Sequence, residues 1–158
     1  MKFKDFTELI ICLVIPLSIG SISGFATSSA ITNWYAGLIK PSFNPPNYLF
    51  APVWTALYFL MGVSLYIISR SGSDELRSKA ILVFFIQLFL NFWWSIFFFS
   101  FERPDVALAE IVLLWLSIVY MIYTFRKINS VAAYLQIPYL LWVSFAAVLN
   151  QSIWWLNR

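Results

Sequence analysis

The sequence predicts an all-α membrane protein, a single bundle of five transmembrane helices that fills the chain, 1–158. Three observations carry this fold class. Hydrophobic residues make up 61% of the 158 residues and charged residues only 11%, against about 45–50% and about 25% in soluble domains. Four windows are free of charge, 9–39, 41–69, 80–101 and 128–157, and a fifth, 106–125, holds only Glu110. Each matches or exceeds the roughly 20 residues that a helix needs to cross the hydrocarbon layer. Finally, none of these windows alternates polar and apolar residues as barrel strands do, and lipid leaves the backbone only the helix or the closed barrel.

The first span is expected at about 8–26. Its start also resembles a secretion signal, with Lys2 and Lys4 before an apolar stretch and small residues near Gly24 to Ala30. Asp5 and Glu8 in the charged region argue for a retained span. Gly20 and Gly24 form a G-x-x-x-G pair that lets a neighbouring helix approach closely. A connector at about 27–48 follows, long for a compact bundle unless it acts as a ligand lid or carries structure of its own. Thr32 or Asn33 can cap a short helix there, Pro41 must end it, and Pro45-Pro46 forces an extended return. Trp34, Tyr35 and Tyr48 are also what an aromatic belt at the headgroup level would look like.

The second span, about 49–69, carries Pro52 in its first turn, where the missing donor costs nothing. Trp54, Tyr58 and Met61 recur at i, i+4 and i+7, so two aromatics with polar edges share a face. That face reads either as a stacking wall or as ordinary core. In the third span, about 79–100, Gln87 and Asn91 lie four apart, followed by Trp94. Amides are rare at this depth and point into the bundle, towards another helix or a ligand. The fourth span, about 105–125, holds Glu110, the only acid well within a span. It reads as a proton or substrate handle, or as charge complementarity at the helix start. The fifth, about 131–155, is expected to break or kink at Pro138. It sets Trp142, Ala146, Leu149 and Asn150 on one face, where small Ala146 beside Trp142 leaves a notch for a flat ligand or another helix.

Basic residues sort by side. Lys2, Lys4, Arg70, Arg77, Lys79, Arg126 and Lys127 share the side of the amino terminus, and Lys40, Arg103 and Arg158 the other. Seven against three places the amino terminus in the cytoplasm, if the membrane is a bacterial cell membrane, and turns the lid outward. The net charge of +3 thus reports topology, and nucleic acid is not an expected partner. The chain has no histidine and a single cysteine, Cys12. Intramolecular disulfides, the usual zinc sites, imidazole-ligated haem and a Ser-His-Asp triad are excluded by inventory. No metal site and no obligatory cofactor are expected.

The connector runs Trp34-Tyr35-Ala36-Gly37-Leu38-Ile39-Lys40-Pro41-Ser42-Phe43-Asn44-Pro45-Pro46, followed by Ala51-Pro52-Val53-Trp54, Leu57-Tyr58 and Met61-Gly62. Gln87-Leu88, Leu90-Asn91 and Trp94 follow, then Ala107-Leu108 with Glu110, and Pro138-Tyr139-Leu140 with Trp142, Phe145-Ala146 and Leu149-Asn150. In this order the motifs resemble the TspO/MBR family, the tryptophan-rich sensory and translocator proteins. The resemblance implies a receptor or sensor, or in addition a carrier, that binds tetrapyrroles such as protoporphyrin IX or haem, and isoquinoline carboxamides, in a pocket under the first loop. It carries over Tyr35 and Pro45 from the loop, Trp54, Asn91 and Trp94, and Trp142, Ala146 and Leu149 as ligand-binding residues. Tyr58 joins them from the face it shares with Trp54. The resemblance also implies a homodimer. It raises light-dependent porphyrin breakdown with Trp54 and Trp142 as photochemical residues, while a proton-coupled transporter working through Glu110 is a third reading. Two departures stand out: no tyrosine follows the Leu149-Asn150 pair, so sterol binding is not carried over, and Phe43 stands where many relatives have tryptophan.

Overall fold

The fold is a computed structural model and describes residues 3–158. Lys2, counted above among the cations of the amino-terminal side, lies outside the described residues. Seven helices follow in order: α1 (Phe3–Thr32), α2 (Trp34–Gly37), α3 (Phe50–Ser69), α4 (Asp74–Ser95), α5 (Pro104–Arg126), α6 (Ser130–Tyr134) and α7 (Ile137–Leu156). A 3-10 turn, Asn47–Leu49, leads into α3, and a π turn, Ile96–Ser100, prolongs α4. Among the described residues there is no strand, and five segments are long and apolar enough to cross a membrane, the fifth made of α6 and α7 together. The protein is an integral, multi-pass membrane protein. In the bundle α1 packs on α3, α4 on α5, and α5 on α6 and α7.

Proline and glycine decide where elements end and how closely they meet. Pro104 opens α5 and Pro138 sits in the first turn of α7, positions at which an amide hydrogen would have no intrahelical acceptor. Of the break or kink expected at Pro138, the structure has a break just before it, between the end of α6 at Tyr134 and the start of α7 at Ile137. α6 is capped by the Asn129 side chain, which accepts from the amides of Val131 at 2.9 Å and Ala132 at 3.2 Å. Ser64 donates to the Ala132 carbonyl at 2.8 Å and ties α3 to this short helix.

The backbone-to-backbone approach of the first two spans is set by Gly62, and of the glycine pair of α1 only Gly20 meets the neighbouring helix, through a side chain. A Cβ on Gly62 would lie 2.7 Å from the Leu13 Cα and 2.8 Å from the Cys12 carbonyl oxygen. That carbonyl lacks its usual helical donor because residue i+4 is Pro16. Gly24, in contrast, has nothing within 4 Å of where a Cβ would stand, and Gly20 faces the ring of Tyr58.

The connector is shorter than its sequence implies, because α1 runs on to Thr32 and α2 follows at once. Thr32 and Asn33 do not cap α2. The Thr32 hydroxyl donates back to the carbonyls of Ser28 and Ser29, and the Asn33 amide to the Ser29 hydroxyl. Both serve the last turn of α1, so α2 begins without a side-chain cap. The extended return holds: Pro46 has φ −57° and ψ 141°, and a turn at 41–44 closes through Asn44 N–H to the Pro41 carbonyl at 3.0 Å.

Candidate ligand-binding site

A cavity of about 490 Å³ lies between α1, α3 and α4 beneath α2. This volume falls in the range of small-molecule sites, about 300–1,000 Å³. Each wall has its own chemistry. From α1 come Leu17, Gly20, Ser23, Gly24, Thr27 and Ile31, a strip in which small side chains leave room. The hydroxyl of Thr27 donates to its own helix at the Ser23 carbonyl, 2.9 Å away, so this wall is less polar than its composition. From α3 come Phe50, Ala51, Trp54, Thr55 and Tyr58, and from α4 Asn91, Trp94 and Ser95, with Phe99 of the π turn and Tyr35 of α2 above. No charged side chain lines it.

Trp54 stacks on Tyr58 with ring centroids 5.5 Å apart, and its ring lies 6.3 Å from Trp94. The Tyr58 hydroxyl donates to Asn91 Oδ1 at 2.6 Å, and Asn91 Nδ2 donates to the Tyr139 hydroxyl at 3.1 Å. Asn91 thus bridges α3 and α7 from within α4, and its amide is fixed in orientation by both neighbours. Trp94 Nε1 donates to Asn150 Oδ1 at 3.2 Å, and Asn150 Nδ2 donates to the Pro104 carbonyl at 2.7 Å, the first turn of α5. These bonds hold the wall by the polar edges of Tyr58 and Trp94, while the rings pack on one another through their apolar surfaces.

Tyr35 closes the top. Its hydroxyl donates to Asn44 Oδ1 at 2.8 Å, Asn44 Nδ2 donates to the Pro45 carbonyl at 3.0 Å, and Lys40 Nζ sits 4.8 Å from the Tyr35 ring centroid. Burial pushes the Tyr35 phenol above its ordinary value. The loop is fastened to the carboxyl-terminal end of α7 by Asn157, which accepts from Ile39 N–H and donates to the Ile39 carbonyl, each at 2.9 Å.

The expected residues fall in two places. Tyr35, Trp54, Tyr58, Asn91 and Trp94 line the cavity. Trp142, Ala146 and Leu149 line instead a cleft of about 20 Å³ on the far side of the aromatic wall, which they share with Tyr35, Trp54 and Trp94. Pro45 lines neither. The fifth span is held off the cavity because Phe50 packs edge-on to Trp142 at 6.0 Å and Trp54 edge-on to Tyr139 at 6.3 Å. The notch beside Ala146 is consequently almost filled. Sequence reasoning missed the α1 wall, Phe50 and Phe99. The run Ser21-Ile22-Ser23-Gly24-Phe25-Ala26-Thr27-Ser28-Ser29 was the available signal, small and hydroxylated where a lipid-facing helix has no need to be.

Five helices long and apolar enough to cross a membrane, three of them walling an uncharged, tryptophan-rich cavity under a loop clamped to the last helix, define an integral multi-pass membrane protein with an internal cavity of small-molecule size. The chain belongs to the TspO/MBR family, which it matches over residues 12–156. It is 42% identical over 155 residues to a tryptophan-rich protein TspO of Archaeoglobus fulgidus, covering 97% of this chain and 99% of that one. A protein of the same name from Chlorobaculum tepidum is 39% identical, with 98% of each chain covered. The translocator protein of Sus scrofa is 35% identical over 140 residues, covering 85% and 83%.

Proposed function

We propose that this protein is a membrane receptor that binds flat, largely apolar ligands in the cavity beneath α2: tetrapyrroles such as protoporphyrin IX or haem, and uncharged isoquinoline carboxamides. The observation that carries the reading is the pairing of broad aromatic faces, Trp54, Tyr58 and Trp94, with one oriented amide, Asn91, in a space of about 490 Å³. Aromatic walls supply contact area to a planar molecule, and a few fixed polar groups orient it. Relatives named tryptophan-rich sensory protein and translocator protein support sensing, or transport, as the use to which binding is put. The acidic arms of a porphyrin find no cation inside the cavity; Lys40, over the Tyr35 ring, is the cation at its roof. On this reading the amino terminus is cytoplasmic, the loop faces outward, and the protein works as a homodimer.

Light-dependent breakdown of a bound porphyrin is a second reading, favoured by Trp54, whose indole borders both the cavity and the cleft. Trp142 stands behind that wall, so the photochemical role falls first on Trp54.

The test is a titration of the purified full chain in detergent with protoporphyrin IX in the dark, read by quenching of tryptophan emission, with Asn91→Ala and Trp142→Ala in parallel. Saturable one-site quenching, weakened most by Asn91→Ala, is expected. Non-saturating quenching, equal in all three proteins, would mean partition into the micelle and refute the receptor reading. Illumination of the saturated complex, with and without Trp54→Phe, then tests breakdown: porphyrin loss that is unchanged by the substitution removes the proposed role of Trp54.

A further inference from the structure

Among the described residues, the buried side-chain polar atoms without a hydrogen-bond partner belong to three residues only: both amide atoms of Gln87 and of Gln136, and both carboxyl oxygens of Glu110. The two glutamines are fully buried and Glu110 is 7% exposed. Buried polar groups in native proteins are nearly always satisfied, and each exception calls for an explanation. Two of the three stand one helical turn from the partners of one hydrogen bond, that between Asn91 and Tyr139. Gln87 lies one turn before Asn91 on the same face of α4, and Gln136 lies one turn before Tyr139 at the start of α7. Glu110 lies on α5, which packs against both α4 and α7, the helices that carry Asn91 and the Tyr139 hydroxyl. Asn91, the partner of that hydroxyl, is also the polar group of the cavity.

We propose that filling the cavity makes Glu110 exchange a proton with solvent, and that the Tyr58–Asn91–Tyr139 chain is the link between ligand and carboxyl. This rests on the ligand-binding reading above. The Tyr139 hydroxyl accepts from Asn91 and so keeps its own proton to donate. A ligand that takes over Asn91 Oδ1 or the Tyr58 hydroxyl reorients this chain, and with it the dipole that Tyr139 presents to Glu110. The carboxyl then gains or loses one proton, with water as donor or acceptor, and no other bond changes.

The surroundings make Glu110 the sensitive group. The buried side chains of α4 are amides and apolar groups, those of the π turn and α6 are apolar, and from α7 the only titratable one is Tyr139. Tyr58 stands behind Asn91 on α3. On α5 itself the nearest charge, Asp105, is paired at 2.7 Å with Arg103 at the surface. A buried intramembrane carboxyl whose two oxygens have no hydrogen-bond partner is a group suited to exchange a proton.

The experiment is calorimetric titration of the full chain with an uncharged isoquinoline carboxamide, at one pH, in two buffers of different ionisation enthalpy. The dependence of the heat on buffer counts the protons exchanged per ligand, and the probe contributes none. A non-zero count in the wild type is expected, lost in Glu110→Gln and reduced in Tyr139→Phe, with saturable binding kept in both. A zero count in the wild type, or an unchanged count in either variant, overturns the proposal. A ligand-induced infrared difference spectrum of the wild type supplies a readout that needs no variant, since a carboxyl C=O band must change and its silence is equally fatal. No saturable heat at all would instead refute the receptor reading on which this one stands.

Discussion

Alanine at Gly20 and alanine at Gly24 are the same chemical change one helical turn apart, yet the structure assigns them opposite effects. A Cβ at Gly20 would stand 2.2 Å from Tyr58 Cε2 and 2.5 Å from Cδ2, while at Gly24 it would meet nothing within 4 Å. The Tyr58 ring has little freedom to give way, being stacked on Trp54 at 5.5 Å and bonded to Asn91 at 2.6 Å. Replacing a helical glycine by alanine contributes about 0.5–1 kcal/mol. Overpacking costs about 1–3 kcal/mol, and losing an interhelical hydrogen bond in a membrane about 0.6–1.7 kcal/mol. Gly20→Ala is therefore expected to lose roughly 1–4 kcal/mol net, and Gly24→Ala to gain up to about 1 kcal/mol. Unfolding in mixed micelles titrated with dodecyl sulfate, followed by tryptophan emission, measures both. In a Tyr58→Ala background the obstacle is gone, so the cost of the Gly20 change must disappear. Equal stabilities for the two alanine variants, or a Gly20→Ala cost that survives removal of the ring, would refute the packing described here. Because Gly24 borders empty cavity, Gly24→Leu is expected to fold and to block ligand uptake.

Further expectations concern the roof. Lys40→Ala should weaken a carboxylated porphyrin by about 2–5-fold, the scale of an exposed ion pair, leave an uncharged isoquinoline carboxamide unaffected, and lose its effect in high salt; paired titrations decide it. Asn157→Ala removes both bonds to Ile39, and at about 1–2 kcal/mol for the two the Ile39 amide should exchange hydrogen roughly 5–30-fold faster, with faster ligand release. Tyr35 holds its phenol above the ordinary value of 10.0 by burial. Its contribution to loop closure is therefore complete below pH 10.0 and lost as the pH rises through the folded-state value, so proteolysis of the loop should show an alkaline step that Tyr35→Phe lacks.

The spans were legible because charge is excluded from lipid at high cost, and a water-soluble chain of this size does not run so far, five times over, with so little charge. Asn91 was legible for the same reason: an amide at that depth has to face inward, and it does. The α1 wall was not. Gly20 and Gly24 carry a spacing that fits close helix packing, and nothing local says that Gly62 makes the backbone contact, that Gly20 admits only the Tyr58 ring, and that Gly24 faces a cavity. The π turn was equally hidden, since Ile96 to Ser100 read as a continuing helix; the added residue lets neighbouring Phe98 and Phe99 both turn towards Tyr35, at 6.2 and 5.5 Å between rings. The extent of the connector was hidden because serine and threonine are common in turns, whereas here their hydroxyls bond back to α1 carbonyls and prolong the helix.

The aromatic wall between cavity and cleft has unequal members, and on the proposed receptor reading this bears on how one site would take ligands of different width. Trp94 is pinned by its bond to Asn150, which is itself held by the first turn of α5. Trp54 is held through rings alone, Tyr58, Trp94 and Tyr139, contacts worth about 0.5–1.5 kcal/mol each and replaceable by the face of a planar ligand. On that reading a narrow ligand would fit the cavity with the wall closed. A macrocycle that displaces Trp54 opens the cleft and reaches Trp142 and Ala146, so those two residues should matter for tetrapyrroles and hardly at all for smaller ligands. Trp142→Ala that weakens both classes equally would show that the fifth span forms the site even with the wall in place, and that the partition has no part in selecting ligands.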